Sequence, residues 1–125
     1  MIHYLEVDDL VEIASVLLGG TPQVRDFGLL SSAAVRPATV AFGQEAYTDL
    51  WSKAAALLHS VCMNHALVDG NKRLAWVSAR VFLALNEVPI QDVDVDQAEA
   101  LVMSVASGSL TEVPDIAREL RKLYL

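Results

Sequence analysis

The sequence predicts an all-α domain, a compact bundle of about six helices with one small β flap. Apolar residues recur at intervals of three and four positions over several long segments, which is the spacing of helices with a buried face. Only residues 37–47 combine β-branched and aromatic residues with a glycine in the manner of a short hairpin. A chain of 125 residues that is 54% hydrophobic can bury one core, so we expect a single domain over residues 1–125.

The first half of the chain contains two predicted helices and the flap. Acidic residues open a helix over residues 8–18, and a glycine pair ends it. A loop over residues 21–27 leads to a short helix over residues 28–35, which an Arg-Pro pair closes. The flap over residues 37–47 follows directly.

The second half of the chain contains four predicted helices. They span residues 48–64, residues 71–86, residues 96–107 and a final stretch that Ser109 or Thr111 caps, with Pro114 in its first turn. Lys53 and His59 fall on the side of the first of these helices that faces away from the core. The helix over residues 71–86 is apolar in nearly every direction, which predicts that it is the central buried helix, with Asn71 as its N-cap.

The charge and the cysteine content exclude several classes of protein. A formal net charge of −7 and a pI of about 4.7 leave no basic patch, which argues against direct binding to nucleic acid. The single cysteine, Cys62, can form neither an internal disulfide nor a zinc cluster and suits a reducing compartment. Acidic residues begin too early for a signal peptide, and no apolar run approaches the ~20 residues of a membrane span. We therefore expect a cytoplasmic protein that contacts no membrane.

One stretch between two apolar helical segments concentrates chemically active side chains. Residues 65–73 read His-Ala-Leu-Val-Asp-Gly-Asn-Lys-Arg. Charges in a loop between buried helices are costly unless they have partners. The first free N–H groups of the following helix, with Lys72 and Arg73 beside them, would form a pocket for a phosphate. A Walker-type phosphate loop is absent from the sequence.

Each of these side chains also has a purely structural interpretation. His65 could be a histidine favoured by the negative end of the preceding helix, or a general base that takes a proton from a hydroxyl. Asp69 could pair with Lys72 or Arg73, or bind Mg²⁺ together with phosphate oxygens. Gly70 permits a tight turn in either case.

The same stretch resembles the core motif of the Fic/Doc family, whose pattern reads H-P-F-x-[D/E]-G-N-[G/K]-R. Ala66 and Leu67 depart from it, since they replace proline and phenylalanine. The resemblance implies a Fic-like helical bundle whose flap aligns the backbone of a target protein beside the histidine. It also implies ATP and Mg²⁺ as cofactors. The implied site residues are His65 as catalytic base, Gly70, Asn71, Lys72 and Arg73 as the residues that bind nucleotide, and Asp69 as the metal ligand.

Lys72 matches the Doc branch, because Fic adenylyltransferases have a glycine at that position. The resemblance therefore implies transfer of the γ-phosphoryl group of ATP to a protein hydroxyl, with a threonine of elongation factor Tu as the expected acceptor. It implies a toxin of a type II toxin–antitoxin system that inhibits translation and is silenced by a cognate antitoxin. Two alternatives stay open: AMP transfer by the same His65, and a catalytically inactive module that keeps the fold for its antitoxin.

Two residues of the predicted helix over residues 71–86 depart from the adenylyltransferase pattern. Trp76 stands where many Fic adenylyltransferases have a second arginine, and we expect it to be a core residue close enough to the loop to border a nucleotide. Arg80 cannot take over the role of that arginine, and we expect it to pair with a carboxylate on a neighbouring element.

Overall fold

The computed structural model describes all 125 residues and contains six α-helices and one two-stranded hairpin, which confirms the predicted fold class. The helices are α1 (Val7–Leu18), α2 (Phe27–Val35), α3 (Leu50–Asn64), α4 (Asn71–Leu85), α5 (Val95–Ala106) and α6 (Val113–Leu123). A short 3₁₀ turn (Arg36–Ala38) follows α2. Strand β1 (Val40–Ala41) then pairs antiparallel with β2 (Gln44–Glu45) at the predicted position of the flap. None of the helices has the length and apolar character that crossing a membrane requires.

Short acidic side chains define where three of the helices begin. Asp26, Asp49 and Asp94 are the N-caps of α2, α3 and α5, and each accepts a hydrogen bond from a backbone N–H in the first turn. The predicted cap of α6 was wrong, since that helix begins after Glu112 and no side chain caps it. The predicted cap of α4, Asn71, was also wrong. Gly70 is the N-cap, and the side chain of Asn71 is therefore available for another contact.

Helix α3, and not α4, is the central helix of the bundle. Nine of its fifteen residues are buried, and it packs against α2, the 3₁₀ turn, α4, α5 and α6. The small side chains of residues 54–56 let neighbouring helices approach α3 closely. The prediction chose α4 instead because large apolar residues occur on nearly all sides of that helix. Helix α4 buries one face and leaves Lys72, Arg73 and Leu85 exposed.

Lys53 is buried, contrary to the prediction that it faces away from the core. Only 2% of the residue is exposed, because the flap and the N-terminal segment cover this side of α3. Its Nζ donates to Glu45 Oε1 at 3.0 Å and to the carbonyl of Pro37 at 3.4 Å, and it lies 5.5 Å from the ring centre of Tyr4. Burial alone would lower the pKa of Lys53, but Tyr4 and Glu45 outweigh it and raise that pKa above its ordinary value. The flap is therefore fastened to the central helix by an ion pair.

A second cation fastens the segment before the flap to α3. The Arg36 guanidinium donates to Tyr47 Oη at 3.0 Å, Ser60 Oγ at 2.9 Å and His59 Nδ1 at 2.6 Å. Burial lowers the pKa of His59, and the positive charge of Arg36 lowers it further. His59 is therefore a packing histidine that accepts a hydrogen bond in its neutral form.

Candidate functional site

Backbone hydrogen bonds hold the loop over residues 65–70 against the segment that precedes α2. The Arg25 N–H donates to the Ala66 carbonyl at 2.7 Å, and the Val68 N–H donates to the Gln23 carbonyl at 2.9 Å. The two chain segments thus form a short antiparallel bridge. The loop that joins α3 to α4 is consequently fixed at its centre as well as at its two ends.

The side chain of Asn71 shapes this loop from the other side. Its Oδ1 accepts from the Leu67 N–H and its Nδ2 donates to the Leu67 carbonyl, both at 3.0 Å. Leu67 is fully buried and Ala66 is 3% exposed, so both residues that depart from the Fic/Doc pattern fill the interior. Because its side-chain amide is bonded to Leu67, Asn71 can contact a ligand outside the loop mainly through its backbone N–H.

His65 ends α3 in an unusual conformation. Its φ of 50° and ψ of 43° lie in the left-handed region, which few residues other than glycine adopt. The preceding Asn64 is fastened to α2, because its Nδ2 donates to the Leu29 carbonyl at 2.9 Å. The sharp turn leaves the His65 side chain exposed and without a hydrogen-bond partner in the protein. Its imidazole is therefore accessible to another molecule.

The N-terminus of α4 is open to an anion. No side chain caps it, in contrast to the aspartate-capped α2, α3 and α5. Gly70 has φ 90°, a conformation that favours glycine, and a Cβ at this position would also have to displace the end of the Leu18 side chain, 2.9 Å away at Cδ2. The free N–H groups of the first turn and the positive end of the helix dipole favour a negatively charged ligand here.

The charged side chains around this helix end have no partners within the protein. Asp69, Lys72 and Arg73 are exposed, and the three ion pairs of the molecule lie elsewhere. The purely structural alternative for Asp69, an ion pair with either cation, is therefore not realised. The charge of Lys72 reaches back to the last turn of α3, where it opposes the burial that raises the pKa of Cys62 to about 11. Cys62 is thus a buried thiol.

The residues of the site would fit a Mg²⁺ ion that takes one ligand from the protein. No group of three metal-ligating side chains exists in the molecule, and Asp69 is the single carboxylate of the loop. Mg²⁺ commonly binds through one or two carboxylates, with phosphate oxygens and water completing its shell. A metal at Asp69 would therefore depend on ligands that a bound nucleotide brings.

Arg80 does not pair with a carboxylate, so that prediction was wrong. Its guanidinium lies 5.2 Å from the ring centre of Trp76 and 5.7 Å from that of Tyr124. Its Nε donates to Tyr124 Oη at 3.1 Å, and it also bonds to the Gln91 carbonyl. A planar cation is well satisfied by aromatic faces and carbonyl oxygens, which explains why no acid is needed.

Sequence reasoning did not identify a cavity of about 510 Å³ between α4, the connector after it and α5. Lys72, Arg73, Trp76 and Arg80 form its α4 side, whereas His65 and the rest of the loop lie outside its lining. Trp76 and Arg80 follow Lys72 at intervals of four positions, and Arg73 precedes Trp76 by three, so the spacing already placed all four on one side of the helix. That spacing was the signal in the sequence that could have indicated the cavity.

Fold and site together define a helical domain in which an exposed histidine precedes a loop that leads to an uncapped helix N-terminus. The sequence model of the Fic/DOC family matches residues 4–83. The chain is 48% identical over 121 residues to "Toxin Doc" of Mycolicibacterium smegmatis, covering 96% of this chain and 92% of that protein. It is 35% identical over 107 residues to "Protein kinase doc" of Escherichia phage P1, covering 85% of this chain and 81% of that protein. The chain therefore belongs to the Fic/Doc family.

Proposed function

We propose that this protein is a toxin that phosphorylates a hydroxyl group of another protein with ATP as the donor. The observation that carries the proposal is an exposed, unpartnered His65 beside an uncapped helix end flanked by Lys72 and Arg73. Of the two relatives, one is named a toxin and the other a protein kinase. The acceptor that we propose is a threonine of elongation factor Tu. The proposed place of action is accordingly the cytoplasm, and the proposed effect is inhibition of translation.

The chemistry assigns each side chain one task. His65 accepts the proton of the acceptor hydroxyl while that oxygen bonds to the terminal phosphorus of ATP. The bond from that phosphorus to the bridging oxygen breaks, and ADP leaves. Lys72, Arg73 and the first N–H groups of α4 hold the phosphate oxygens in place. Asp69 would hold Mg²⁺, which neutralises charge on the phosphate oxygens when bound.

The hairpin supports the proposal that the acceptor binds as an extended segment. β1 and β2 pair with each other alone, so each strand keeps one free edge, and both are exposed. An extended peptide can add to such an edge through backbone hydrogen bonds. Because Lys53 and Arg36 fasten the two ends of the flap to α3, the edge has a defined position relative to the bundle.

We also propose that a cognate antitoxin silences the protein by covering apolar side chains near the loop. Phe27 follows the segment that holds the loop and is 60% exposed, and Val68 within the loop is 52% exposed. Met63 in the last turn of α3 is 39% exposed. Apolar side chains that remain exposed around an active site favour a protein partner that buries them.

The test is to incubate the protein with elongation factor Tu and with ATP labelled at either the α- or the γ-phosphate. We expect γ-label on the factor and a mass gain of one phosphoryl group. His65→Ala should abolish both the labelling and the growth arrest on expression, whereas His3→Ala at another exposed histidine should leave both intact. Label from the α-phosphate would refute phosphoryl transfer in favour of AMP transfer. Growth arrest that survives His65→Ala, without label, would support the inactive binding module.

A further inference from the structure

We propose that Lys53 is a positioning residue for the acceptor protein: it fixes the place of the flap and so sets the affinity for the acceptor. This inference rests on the proposed function, in which an extended segment of the acceptor adds to a free strand edge of the flap. It adds a residue outside the loop and the first turn of α4. Because only 2% of Lys53 is exposed, it acts through the flap and not by touching the acceptor.

The two strands of the flap have little else to hold them in place. All four strand residues are exposed, so neither strand buries an apolar side chain against the bundle. Phe42, in the turn between the strands, is fully exposed as well. A hairpin of two such short strands is at best marginally stable by itself. Within the strands, Glu45 is the one residue whose side chain forms a hydrogen bond with the bundle.

Lys53 holds both arms of the hairpin at once. Its Nζ donates to the carbonyl of Pro37, which precedes β1, and to Oε1 of Glu45, which lies in β2. The ring of Tyr4 lies against the same ammonium, 5.5 Å from its centre to Nζ. If the hairpin rotated away from α3, the ammonium would lose both oxygen partners while it remained in the interior, which is costly. The two arms are therefore tied to one point on the central helix.

The stability of the fold does not by itself explain a buried lysine at this position. Moving a charge out of water is costly, and apolar residues of similar volume often replace a buried ion pair without loss of stability. A methionine here would fill nearly the same space and would extend the apolar run of residues 54–58. It could not form a directional bond to Glu45. We therefore attribute the lysine to the need for a single flap position.

A flap with one fixed position binds the acceptor without first having to be ordered. If loss of the anchor left the flap in its binding position for about one tenth of the time, the apparent dissociation constant for the acceptor would rise about tenfold. The rate at saturating acceptor and the affinity for ATP would stay the same, because the anchor lies outside the loop that carries His65. A lysine that only stabilised the fold would change none of these constants in a folded variant.

The experiment compares Lys53→Met with Lys122→Met in γ-phosphoryl transfer to elongation factor Tu. Both substitutions remove a lysine that pairs with a carboxylate at 3.0 Å, but the pair of Lys122 with Glu119 is exposed on α6 and includes no flap residue. We expect Lys53→Met to raise the KM for the factor about tenfold or more, with kcat and the KM for ATP changed by less than about twofold. Lys122→Met should change none of the three. In hydrogen exchange, the flap of Lys53→Met should exchange faster, whereas α3 and α4 should not.

The outcomes separate this inference from the function on which it rests. Glu45→Gln weakens the same ion pair from the flap side and should raise the same KM, which keeps the test available if Lys53→Met fails to fold. An unchanged KM for the factor in a folded variant, with transfer intact, would overturn the positioning role and leave the proposed function standing. A loss in kcat as large as the rise in KM would also overturn it, because the substitution would then disturb the reaction itself. Absence of transfer by the unaltered protein would overturn the proposed function and, with it, the acceptor as the ligand of the flap.

Discussion

Replacing Asn71 by alanine should destabilise the protein by about 1–3 kcal/mol, because two hydrogen bonds are lost together. Both bonds join its amide to the backbone of Leu67 at 3.0 Å. One hydrogen bond contributes a net ~0.5–1.5 kcal/mol, and a buried group left without a partner raises the loss. Leu67 is fully buried, so water cannot readily replace the missing amide. We therefore expect a value in the upper half of the range.

The assay is equilibrium unfolding in urea, followed by circular dichroism, for a matched set of variants. Asn71→Asp keeps the acceptor for the Leu67 N–H but loses the donor, and should fall between the original protein and Asn71→Ala. Asn64→Ala is the control, since it removes a single side-chain bond at an exposed position. It should cost about 0.5–1 kcal/mol. At roughly 4 °C per kcal/mol for a chain of this size, Tm should fall by about 4–12 °C in Asn71→Ala.

Two results would refute this reasoning. If Asn71→Ala cost no more stability than Asn64→Ala, the two hydrogen bonds to Leu67 would contribute no more than one hydrogen bond at an exposed position. If Asn71→Asp were as damaging as Asn71→Ala, the acceptor bond to the Leu67 N–H would have no measurable value. Either result would mean that the bridge to the segment before α2 is sufficient to hold the loop.

Three further predictions concern the turn, the packing histidine and the flap. Gly70→Ala should lower the free energy of unfolding in urea more than Gly19→Ala does. Both glycines have positive φ, but only at Gly70 would a Cβ crowd another side chain. Equal losses of stability would contradict this prediction. The free energy of unfolding should fall as the pH drops below about 6.5, because the pKa of His59 is lower in the folded protein than in the unfolded chain, which therefore binds the proton at higher pH. His59→Gln should make stability depend less on pH in this range. Glu45→Gln should destabilise the protein more than Lys53→Met, because it leaves a buried ammonium without its carboxylate; the reverse order in urea would count against the ion pair.

The parts of the fold that could be predicted are those encoded by local residue patterns. Apolar spacing located all six helices, and glycine or proline located the ends of the first two, as at Gly19. The hairpin was identified from composition alone. The errors arose where tertiary packing decides. Lys53 is polar by type, yet the flap folds over it, and α3 became central because its small residues admit close neighbours. Neither effect can be derived from the helix in isolation.

The predicted site residues are brought into one loop and one helix turn, but the sequence could not reveal what each side chain touches. Asn71 was expected to cap α4, whereas it braces Leu67 four residues earlier, since Gly70 supplies the left-handed turn instead. Arg80 was expected to find a carboxylate, whereas aromatic rings from α4 and the C-terminus satisfy it. The cavity depends on how the connector and α5 fold back along α4, which is a long-range property that no short motif records.

The difference between the loop's backbone and its side chains is the physical argument for a functional site. The backbone of the loop is paired at Ala66, Leu67 and Val68, and its interior side chains are fully packed. The charged side chains beside it are left unpaired in a protein whose net charge is −7, although carboxylates are abundant. Unpaired charges on a rigid scaffold contribute less to the stability of the fold than other residues at the same positions could. Such an arrangement fits the proposal that the missing partner is a ligand, and two unpaired cations at a helix N-terminus favour an anion.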